Sequence, residues 1–511
     1  MLERRATLGA GFADGTLGVH SLSENRIAGA AFLLFFITWA GIEAFLNADR
    51  ALHYDVFEAY AWGKEFQLGY NQHGPFWAWI AGAWFRLFPN TNTSFVLLET
   101  LNATLGLFGA WKLIGLFAKG WERHAATLLL LATPFYTFNA YKYNANTIFI
   151  SLWPWTLYFF IKSVDAMNRR DAFFFGVLAA ACILSKYYAA LLLASCGLSL
   201  FFHPNGRRYL FSSLPWIAMG VFALLVSPHL YWSLTSNAPP VAYAMGLTGK
   251  GWLFTGEHIA HFVLDLVLFQ LGMAALLFLA WAATRRAGAA EGGTRLSSSR
   301  RRFLAVLVLA PPLLTMLAAV IFQLKIEAIM AIGIFPLLPL LLMQWIAPLD
   351  SRRCFYLAGG TAVAVSLVTL IGAPFASAVM ASKKAGPSFT FPYRELAASV
   401  TELWRAEMHT PLKYFGSETK IANGVSFYSP DKPSSFVNLD YARALWISPA
   451  KLQKDGLLIA CVHEDTDCLE KASHFLWGRW KQTSLKIARV IGTQRTPEVM
   501  FDIFVVPPLA G

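Results

Sequence analysis

Residues 53–63 read HYDVFEAYAWG and residues 69–75 read GYNQHGP, directly after the first long apolar run of the chain. Asp55 and Glu58 are three residues apart, so on a helix they share a face. Carboxylates and histidines beside a membrane span are costly unless they have a function there. The stretch therefore predicts a site next to the first span, and the alternative is a solvated loop with aromatic interface anchors.

The composition predicts a polytopic membrane protein. Of the 511 residues, 56% are hydrophobic and only 14% are charged, whereas soluble proteins usually carry about 25% charged residues. The net charge of +12 comes mainly from basic residues in short loops between apolar runs. Membrane topology explains this distribution, and no stripe of basic residues with interleaved aromatics indicates nucleic acid. We therefore expect membrane lipid, and no nucleic acid, as a partner.

Apolar runs long enough to cross a ~30 Å hydrocarbon core can be placed in eleven segments. They are 27–46, 94–118, 125–140, 146–163, 172–185, 187–202, 210–232, 260–284, 303–323, 328–347 and 354–379. The aromatic segment Phe76–Phe88 is too short to span and is typical of an interfacial helix. The predicted fold class is an all-α polytopic membrane protein of about eleven transmembrane helices plus interfacial helices, with a small C-terminal α/β domain.

Basic residues orient the predicted helices. With the N-terminus in the cytoplasm, 17 basic residues of the membrane region fall on the cytoplasmic side and seven on the other side, as the positive-inside rule requires. We expect a cytoplasmic segment at 1–26, a membrane-embedded catalytic domain at 27–380 and a periplasmic domain at 381–511. The expected location is the bacterial inner membrane.

The C-terminal segment differs from the rest in composition, because it carries 13 of the 30 acidic residues. Periodicity predicts a helix at Tyr393–Met408 and strands in four further segments. These are Leu412–Phe415, Val425–Tyr428, Leu457–Val462 and Met500–Val506. Cys461 and Cys468 either form a disulfide, which needs an oxidising compartment, or are two unrelated thiols.

Unusual polar residues collect on the non-cytoplasmic side of the predicted topology. One external pocket accounts for all of them, with carboxylates for acid–base chemistry and cations for an anionic group. The candidate catalytic residues are Asp55 and Glu58. Candidates for binding a substrate phosphate are His73, Lys142, Lys186, Tyr187, His229 and Lys325, and candidates for lining the pocket are Tyr54, Tyr60, Tyr143, Asn144, Asn146, Trp232 and Glu327.

Several candidates also have a structural explanation, and Asn144 and Asn146 could be ordinary loop residues. Lys186 could extend to the interface from a helix hairpin, and His229 could hydrogen bond a carbonyl near a helix end. Lys325 and Glu327 could form a local ion pair without chemistry. No Walker A, GxGxxG, HExxH, paired CxxC or GxSxG motif is present. No cofactor is certain, and Asp55 with Glu58 leaves a divalent metal as an open alternative.

The chain resembles the GT-C membrane glycosyltransferases. The resemblance rests on an acidic motif after a long first span, followed by GY-x-x-(H/K)-x-P and an aromatic segment, here DVFEAYAWGKEFQLGYNQHGPFWAW at 55–79. The resemblance continues in two later segments, LSKY at 184–187 and SPHLYW at 227–232. The pattern is most similar to the protein O-mannosyltransferase and aminoarabinose-transferase group, and within it to bacterial enzymes that decorate lipopolysaccharide, including galacturonosyl transferases.

The resemblance implies a GT-C fold, a polyprenyl-phosphate-linked sugar donor and an inverting transfer on the periplasmic face. The acceptor would be an envelope glycolipid such as lipopolysaccharide core or lipid A. A carboxylate would take the proton of the acceptor hydroxyl, and lysine and histidine would stabilise the leaving phosphate. A polyprenyl donor needs no nucleotide-binding motif.

Three positions depart from the pattern of the group. Relatives commonly have adjacent Asp-Glu, whereas Phe57 precedes Glu58 here, so either Asp55 or Glu58 carries the acidic role. We predict Asp55 as the general base and Glu58 as a supporting carboxylate. The usual Pro-Pro is Gly74-Pro75, and Asn144 stands where many relatives have a second acidic residue.

Two other classes of protein remain as alternatives. A transporter or flippase for an envelope glycolipid would also be polytopic with buried polar groups, but the sequence has no inverted repeat, and midplane sites would be expected. A noncatalytic scaffold with an external binding domain is the third hypothesis.

Overall fold

The computed structural model of the protein describes residues 12–48, 50–236, 243, 245–287, 295–346, 348–382, 390–491 and 494–509. The described part up to residue 382 is helical. Its helices are α1 Phe12–Leu46, α2 Tyr54–Glu65, α3 Phe76–Leu87, α4 Asn92–Ile114, α5 Gly120–Leu129, α6 Phe149–Ala166, α7 Arg169–Ser185, α8 Ala189–Ser199, α9 Gly206–Leu210, α10 Leu214–Thr235, α11 Trp252–Ala287, α12 Ser298–Phe322, α13 Leu338–Trp345 and α14 Ser351–Ser382.

Six helices in the described ranges are long and apolar enough to cross a membrane. They are α1, from Asn25 onwards, and α4, α10, α11, α12 and α14. Large apolar side chains on them stay exposed, including Leu224 at 72% and Ile371 at 66%, which suits contact with lipid. Each of the eleven predicted spans contains a helix, but α5, α7, α8 and α13 have only 10, 17, 11 and 8 residues.

Two of the predicted spans are not continuous helices. In the segment 125–140 the helix ends shortly before Pro134, because proline lacks the backbone N–H that a helix needs. The chain then continues as turns to residue 148. The segment 328–347 begins with a 3₁₀ turn and bends at Gly333, where φ is +84°. Irregular backbone is tolerated at membrane depth where protein surrounds it or where it lines a cavity. The turns that follow the first of these segments carry Asn144 and Asn146.

The described C-terminal residues form an α/β domain. Its helices are α15 Tyr393–Met408, α16 Thr419–Tyr428, α17 Pro449–Asp455 and α18 Thr466–Ser473, and its strands are β1 Tyr414–Ser417, β2 Ser434–Val437, β3 Leu457–Val462, β4 Lys481–Ile487, β5 Val490–Ile491, β6 Gln494–Arg495 and β7 Val499–Val506. The main sheet has the order β2-β1-β3-β7-β4. Strand β1 is parallel to β2 and β3, and β7 is antiparallel to β3 and β4.

The helix predicted at Tyr393–Met408 and the strand predicted at Leu457–Val462 are confirmed. The strand predicted at Val425–Tyr428 is wrong, because these residues end α16. Glu418 caps that helix by accepting from the N–H of Lys420, and Ile421 and Val425 are buried one turn apart. Helical spacing of buried residues therefore outweighs the β propensity of the segment.

The disulfide between Cys461 and Cys468 is present, with the Cα atoms 5.6 Å apart. Cys461 lies in β3 and Cys468 in the first turn of α18. Of the two alternatives that the sequence leaves open for these cysteines, the disulfide is therefore the one present. After β3 the chain turns at residues 463–465 and continues into α18.

The C-terminal domain packs directly on α2. Phe57 is fully buried, and its ring lies 5.1 Å from Tyr393 and 5.8 Å from Phe427, measured between centroids. The Tyr428 hydroxyl donates to Oδ1 of Asn92 at 2.9 Å. Lys64 donates to the carbonyl of Lys432. The helix that carries Asp55 and Glu58 is thus held between the membrane-embedded helices and the C-terminal domain.

Candidate active site

The residue before α2 fixes the start of that helix. Nδ1 of His53 accepts from the N–H of Asp55 at 3.3 Å, as an N-cap does. The same Nδ1 lies 3.6 Å from Oδ2 of Asp55. Asp55 and Glu58 follow on the first and second turns of α2. The sequence expectation of two carboxylates on one helix therefore agrees with the structure.

Asn144 holds the carboxylate of Asp55. Its Nδ2 donates to Oδ2 of Asp55 at 2.8 Å. Its Oδ1 accepts from the N–H of Asn146 at 2.8 Å and of Thr147 at 3.0 Å, which fixes the orientation of the amide. Among the described residues, nothing donates a hydrogen bond to Oδ1 of Asp55. That oxygen is free to accept a proton from a substrate.

Helix α4 supports the segment that carries Asn144. Oε1 of Glu99 accepts from the N–H of Tyr143 at 3.1 Å, and Nδ2 of Asn102 donates to the carbonyl of Thr147 at 2.8 Å. Both α4 side chains are buried. Buried backbone groups need partners, so this irregular segment keeps its shape through side chains of α4. Sequence reasoning did not identify Glu99 or Asn102, because both lie inside a long apolar run.

Lys186 follows α7 and donates to Oδ1 of Asn146 at 2.5 Å. Burial lowers the pKa of Lys186 to about 8, while the negative charges of Glu327 and Asp55 oppose this shift. Lys186 therefore still carries a positive charge at neutral pH. It brings a cation beside the Asp55–Asn144 pair, because Asn144 and Asn146 are two residues apart.

His73 precedes Gly74, which packs on the end of α7 just before Lys186. A Cβ atom on Gly74 would meet the carbonyl oxygen of Leu184 at 2.3 Å, so only glycine lets the GYNQHGP segment approach the end of α7 this closely. Burial and the positive charge of Lys186 lower the pKa of His73 to about 3. His73 is therefore neutral in the free protein, and it can donate a hydrogen bond but supplies no charge.

Burial raises the pKa of Glu58 to about 8, and the negative charge of Asp55 acts in the same direction. Glu58 is therefore mostly protonated at neutral pH. The two carboxylates of α2 differ in environment, since Asp55 accepts a hydrogen bond from Asn144. Groups with contrasting environments at one site take different roles in acid–base chemistry.

Tyr187, His229 and Trp232 form a second group. Nδ1 of His229 lies 2.7 Å from the carbonyl of Leu68, and Nε2 lies 2.7 Å from the hydroxyl of Tyr187. Because the carbonyl can only accept, Nδ1 carries the proton and Nε2 accepts from Tyr187. Trp232 stacks on the imidazole with centroids 5.6 Å apart. Both nitrogens of His229 are thus engaged within the protein, in a link between α8, α10 and the segment after α2.

The sequence predicts three further charged residues for the site, Lys142, Lys325 and Glu327. Lys325 and Glu327 form an ion pair at 2.6 Å, about half exposed. Lys142 is exposed just before Tyr143. The negative charge of Glu327 acts on both Lys186 and Tyr54. Glu327, with Lys325 paired to it, therefore lies near Lys186.

Two predicted pocket residues contribute to packing instead. Tyr60 is 3% exposed, and its ring packs on Phe85 and Phe427 with centroids 5.4 and 5.2 Å away. Tyr143 is fully buried, and its hydroxyl donates to the carbonyl of Trp77 at 3.0 Å. Neither side chain is available to a substrate in this structure.

The C-terminal domain supplies one cation that the sequence did not indicate. Nζ of Lys420 lies 4.8 Å from the centroid of the Tyr54 ring. Lys420 is more than 360 positions away from Asp55 in the sequence, and only the docking of α16 on α2 brings the two regions together. No local pattern could have revealed this contact.

Few side chains at this site could bind a metal ion. No cluster of three or more His, Cys, Asp or Glu side chains that could hold a metal ion occurs in the described ranges. Asp55 and Glu58 provide two carboxylates, and Glu58 is mostly protonated at neutral pH. We therefore derive no step through a metal.

Comparisons with known proteins agree with this architecture. Residues 72–232 match the model of the dolichyl-phosphate-mannose-protein mannosyltransferase family. The matched range includes Asn144, Lys186 and His229 but not Asp55. A comparison with curated protein sequences finds no match.

A solved structure is similar over almost its full length. It is ArnT from Cupriavidus metallidurans, bound to undecaprenyl phosphate, with a TM-score of 0.56 and 12% sequence identity. The match covers 94% of this chain and 98% of the ArnT chain. At this identity the similarity establishes the fold, which combines helices in the membrane with a C-terminal domain.

Proposed function

We infer that this chain is a GT-C membrane glycosyltransferase of the ArnT-like group, which transfers a sugar from a polyprenyl-phosphate donor to an envelope glycolipid at the periplasmic face. The family match and the shared fold support sugar transfer. The undecaprenyl phosphate bound to ArnT supports a polyprenyl-phosphate donor. The prenyl chain would remain in the bilayer while the phosphate reaches Lys186.

The hydrogen bonds of Asn144 and Asn146 are the main support for the proposed reaction. Asp55 and Lys186 are held by Asn144 and Asn146, two residues of a single turn, at 2.8 and 2.5 Å. A carboxylate and a cation are thus bound by two side chains of the same turn, which supports a general base next to a phosphate-binding cation. Asp55 would take the proton of the acceptor hydroxyl through its free Oδ1. The hydroxyl oxygen would attack the anomeric carbon while the bond from that carbon to the phosphate oxygen breaks, with inversion.

Lys186 would stabilise the phosphate that leaves with the polyprenyl chain. The negative phosphate would favour the charged form of Lys186, offsetting the burial that lowers its pKa in the free protein. His73 would donate a hydrogen bond to the same group. Tyr187 would contact the substrate, with His229 and Trp232 as positioning residues behind it.

The test uses purified protein in detergent, with lipid-linked sugars and glycolipid extracted from bacterial envelopes. Asp55→Asn is expected to lower turnover by ~10²–10⁴-fold, the usual effect of losing a general base, while undecaprenyl phosphate still binds. Lys186→Ala is expected to weaken undecaprenyl phosphate binding instead, because a phosphate-binding cation is lost. Asp440→Asn is the control, because Asp440 is a half-exposed carboxylate of the C-terminal domain that pairs locally with Arg443.

Other outcomes are equally informative. If Glu58→Gln is inactive and Asp55→Asn retains turnover, Glu58 is the base. If the wild-type protein transfers no sugar in detergent, the glycosyltransferase assignment fails. Sugar transfer to the glycolipid in detergent, where no sealed membrane is present, would exclude the transporter alternative.

A further inference from the structure

Lys420 contacts the candidate active site from the C-terminal domain. Its ammonium lies 4.8 Å from the centroid of the Tyr54 ring, and that ring lies 4.1 Å from the imidazole of His53. Nδ1 of His53 is 3.6 Å from Oδ2 of Asp55. Three successive contacts therefore connect a lysine of the external domain to the proposed general base.

Lys142 reaches the same surroundings from the membrane-embedded part. The backbone carbonyl of Lys142 accepts from the hydroxyl of Thr147 at 3.2 Å. Lys142 stands two positions before Asn144, which binds Asp55. Burial lowers the pKa of His53, and the positive charges of both Lys142 and Lys420 lower it further. The Lys420 ammonium lies on the ring of Tyr54, which packs on His53.

These two lysines differ from the other lysines near the site. Lys186 donates to Asn146, and Lys325 pairs with Glu327. Lys64 donates to the Lys432 carbonyl. Within the described part of the chain, neither Lys142 nor Lys420 pairs with a carboxylate, and both are exposed. Two unpaired cations beside a general base are suited to bind an anion.

We propose that Lys142 and Lys420 bind an anionic group of the acceptor, a phosphate or a carboxylate close to the hydroxyl that receives the sugar. This inference rests on the proposed function. The acceptor rather than the donor is favoured because Lys420 belongs to the domain outside the membrane-embedded helices, whereas Lys186 lies between two of those helices, where a lipid-anchored phosphate can reach it.

The proposal makes the C-terminal domain part of the acceptor site. An acceptor whose anion contacts both lysines would have its hydroxyl presented to Asp55, whose carboxylate is held by Asn144. Charge-assisted hydrogen bonds to a phosphate or carboxylate are stronger than neutral ones and fix orientation. A neutral glycolipid would lack these contacts.

A binding measurement separates donor from acceptor. Undecaprenyl phosphate is titrated into purified wild-type protein, Lys142→Ala, Lys420→Ala and Lys186→Ala. Equal affinities for the wild-type protein and the first two variants, with weaker binding to Lys186→Ala, are expected. A tenfold or larger loss of affinity in Lys420→Ala would assign the pair to the donor and overturn the proposal.

Mass spectrometry tests the acceptor. Envelope glycolipids are compared between a deletion strain and strains that express the wild-type protein or a variant. The sugar increment is expected on a glycolipid with phosphate or carboxylate, and Lys420→Ala and Lys142→Ala should each lower the modified fraction by about tenfold. Lys420→Arg, which keeps the charge, should restore it.

Lys486→Ala is the matched control. Lys486 is an exposed lysine of the same domain and lies on β4, one edge strand of the sheet. The opposite edge strand, β2, is the one that faces α2, because Ser434 of β2 contacts Lys64. A neutral modified glycolipid, or full modification in both Lys142→Ala and Lys420→Ala, would refute acceptor recognition while leaving the transferase intact. A wild-type protein that restores no modification would remove the proposed function as well.

Discussion

At the residue scale, the two carboxylates of α2 are close in sequence but differ in surroundings. Asp55 accepts from Asn144 and lies beside His53. Glu58 has neighbours that favour its neutral form, with a pKa of about 8. Glu58 is therefore mostly protonated at neutral pH, whereas the carboxylate of Asp55 accepts a hydrogen bond from Asn144, so the two residues are suited to different roles.

This difference predicts how stability depends on pH. The pKa of Glu58 is about 8 in the folded protein, above its ordinary value of 4.5. Between these values the folded protein binds more protons than the unfolded chain, so the free energy of unfolding falls as pH rises. Glu58→Gln removes this contribution. We expect the Tm of the wild-type protein to fall relative to that of Glu58→Gln between pH 5 and pH 8.

Thermal unfolding in detergent at several pH values measures this effect. Glu402→Gln, an exposed carboxylate on α15, is the control and should follow the wild-type protein. Parallel Tm curves for the wild-type protein and Glu58→Gln would show that Glu58 titrates normally.

The sequence predicts the types of residue at the site better than their pairing. Asp55, Asn144, Asn146 and Lys186 could be proposed because they fall on one side of the predicted topology. Sequence spacing could not show that Asn144 orients Asp55, because that contact joins residues 89 positions apart. Aromatic residues were harder to assign, since Tyr143 in a polar segment is a buried packing group.

At the scale of elements, α4 and the irregular segment after α5 act together. Glu99 and Asn102 are one turn apart on α4 and bind backbone groups on either side of Asn144. Hydropathy predicted a transmembrane helix over much of this segment, because its length and apolar content suit one. The turns after Pro134 depend on buried partners supplied by α4, and hydropathy contains no information about those partners.

This arrangement predicts different effects for two substitutions of Glu99. Glu99→Gln keeps an oxygen that can accept from the N–H of Tyr143, so turnover should stay near the wild-type value. Glu99→Leu leaves that buried N–H without a partner, at a cost of about 1–3 kcal/mol, and frees Asn144 to shift away from Asp55. We expect Glu99→Leu to lower kcat at least tenfold with little change in the KM for the donor.

Steady-state kinetics with the lipid-linked donor checks this prediction, and the thermal stability of both variants is measured in parallel. A positioning role requires rescue by glutamine and a change confined to kcat. Equal losses in both variants would instead mean that the carboxyl group of Glu99 itself takes part in the reaction.

At the scale of the whole molecule, the docked C-terminal domain was the least predictable feature. Composition separated it from the membrane-embedded part, and two of its elements were predicted with correct bounds. Its attachment to α2 depends on Phe57, Phe427 and Tyr428, whose rings meet across more than 300 positions of sequence. Packing over such separations leaves no periodic signal in either segment.

The last prediction concerns orientation in the membrane. Helix α6 has 18 residues, which is about 27 Å at ~1.5 Å per residue. The turn with Asn144 and Asn146 precedes this helix, and Asp165 lies near its other end, paired with Arg300 at 2.7 Å. The candidate active site and the Arg300 cluster are therefore separated by about the thickness of a bilayer core. Because basic residues concentrate on the Arg300 side, we expect that side in the cytoplasm.

Labelling of introduced cysteines with a membrane-impermeant reagent tests this orientation. Pro430→Cys, in the C-terminal domain, should react in right-side-out spheroplasts, whereas Ser298→Cys should react only after permeabilisation. Both positions are exposed; residue 290, in the same predicted cytoplasmic loop as Ser298, lies outside the described residues. The wild-type protein is the control, because Cys182, Cys196 and Cys354 are buried and Cys461 is bonded to Cys468. Reaction of both variants from the same side would refute the predicted topology and with it a periplasmic site.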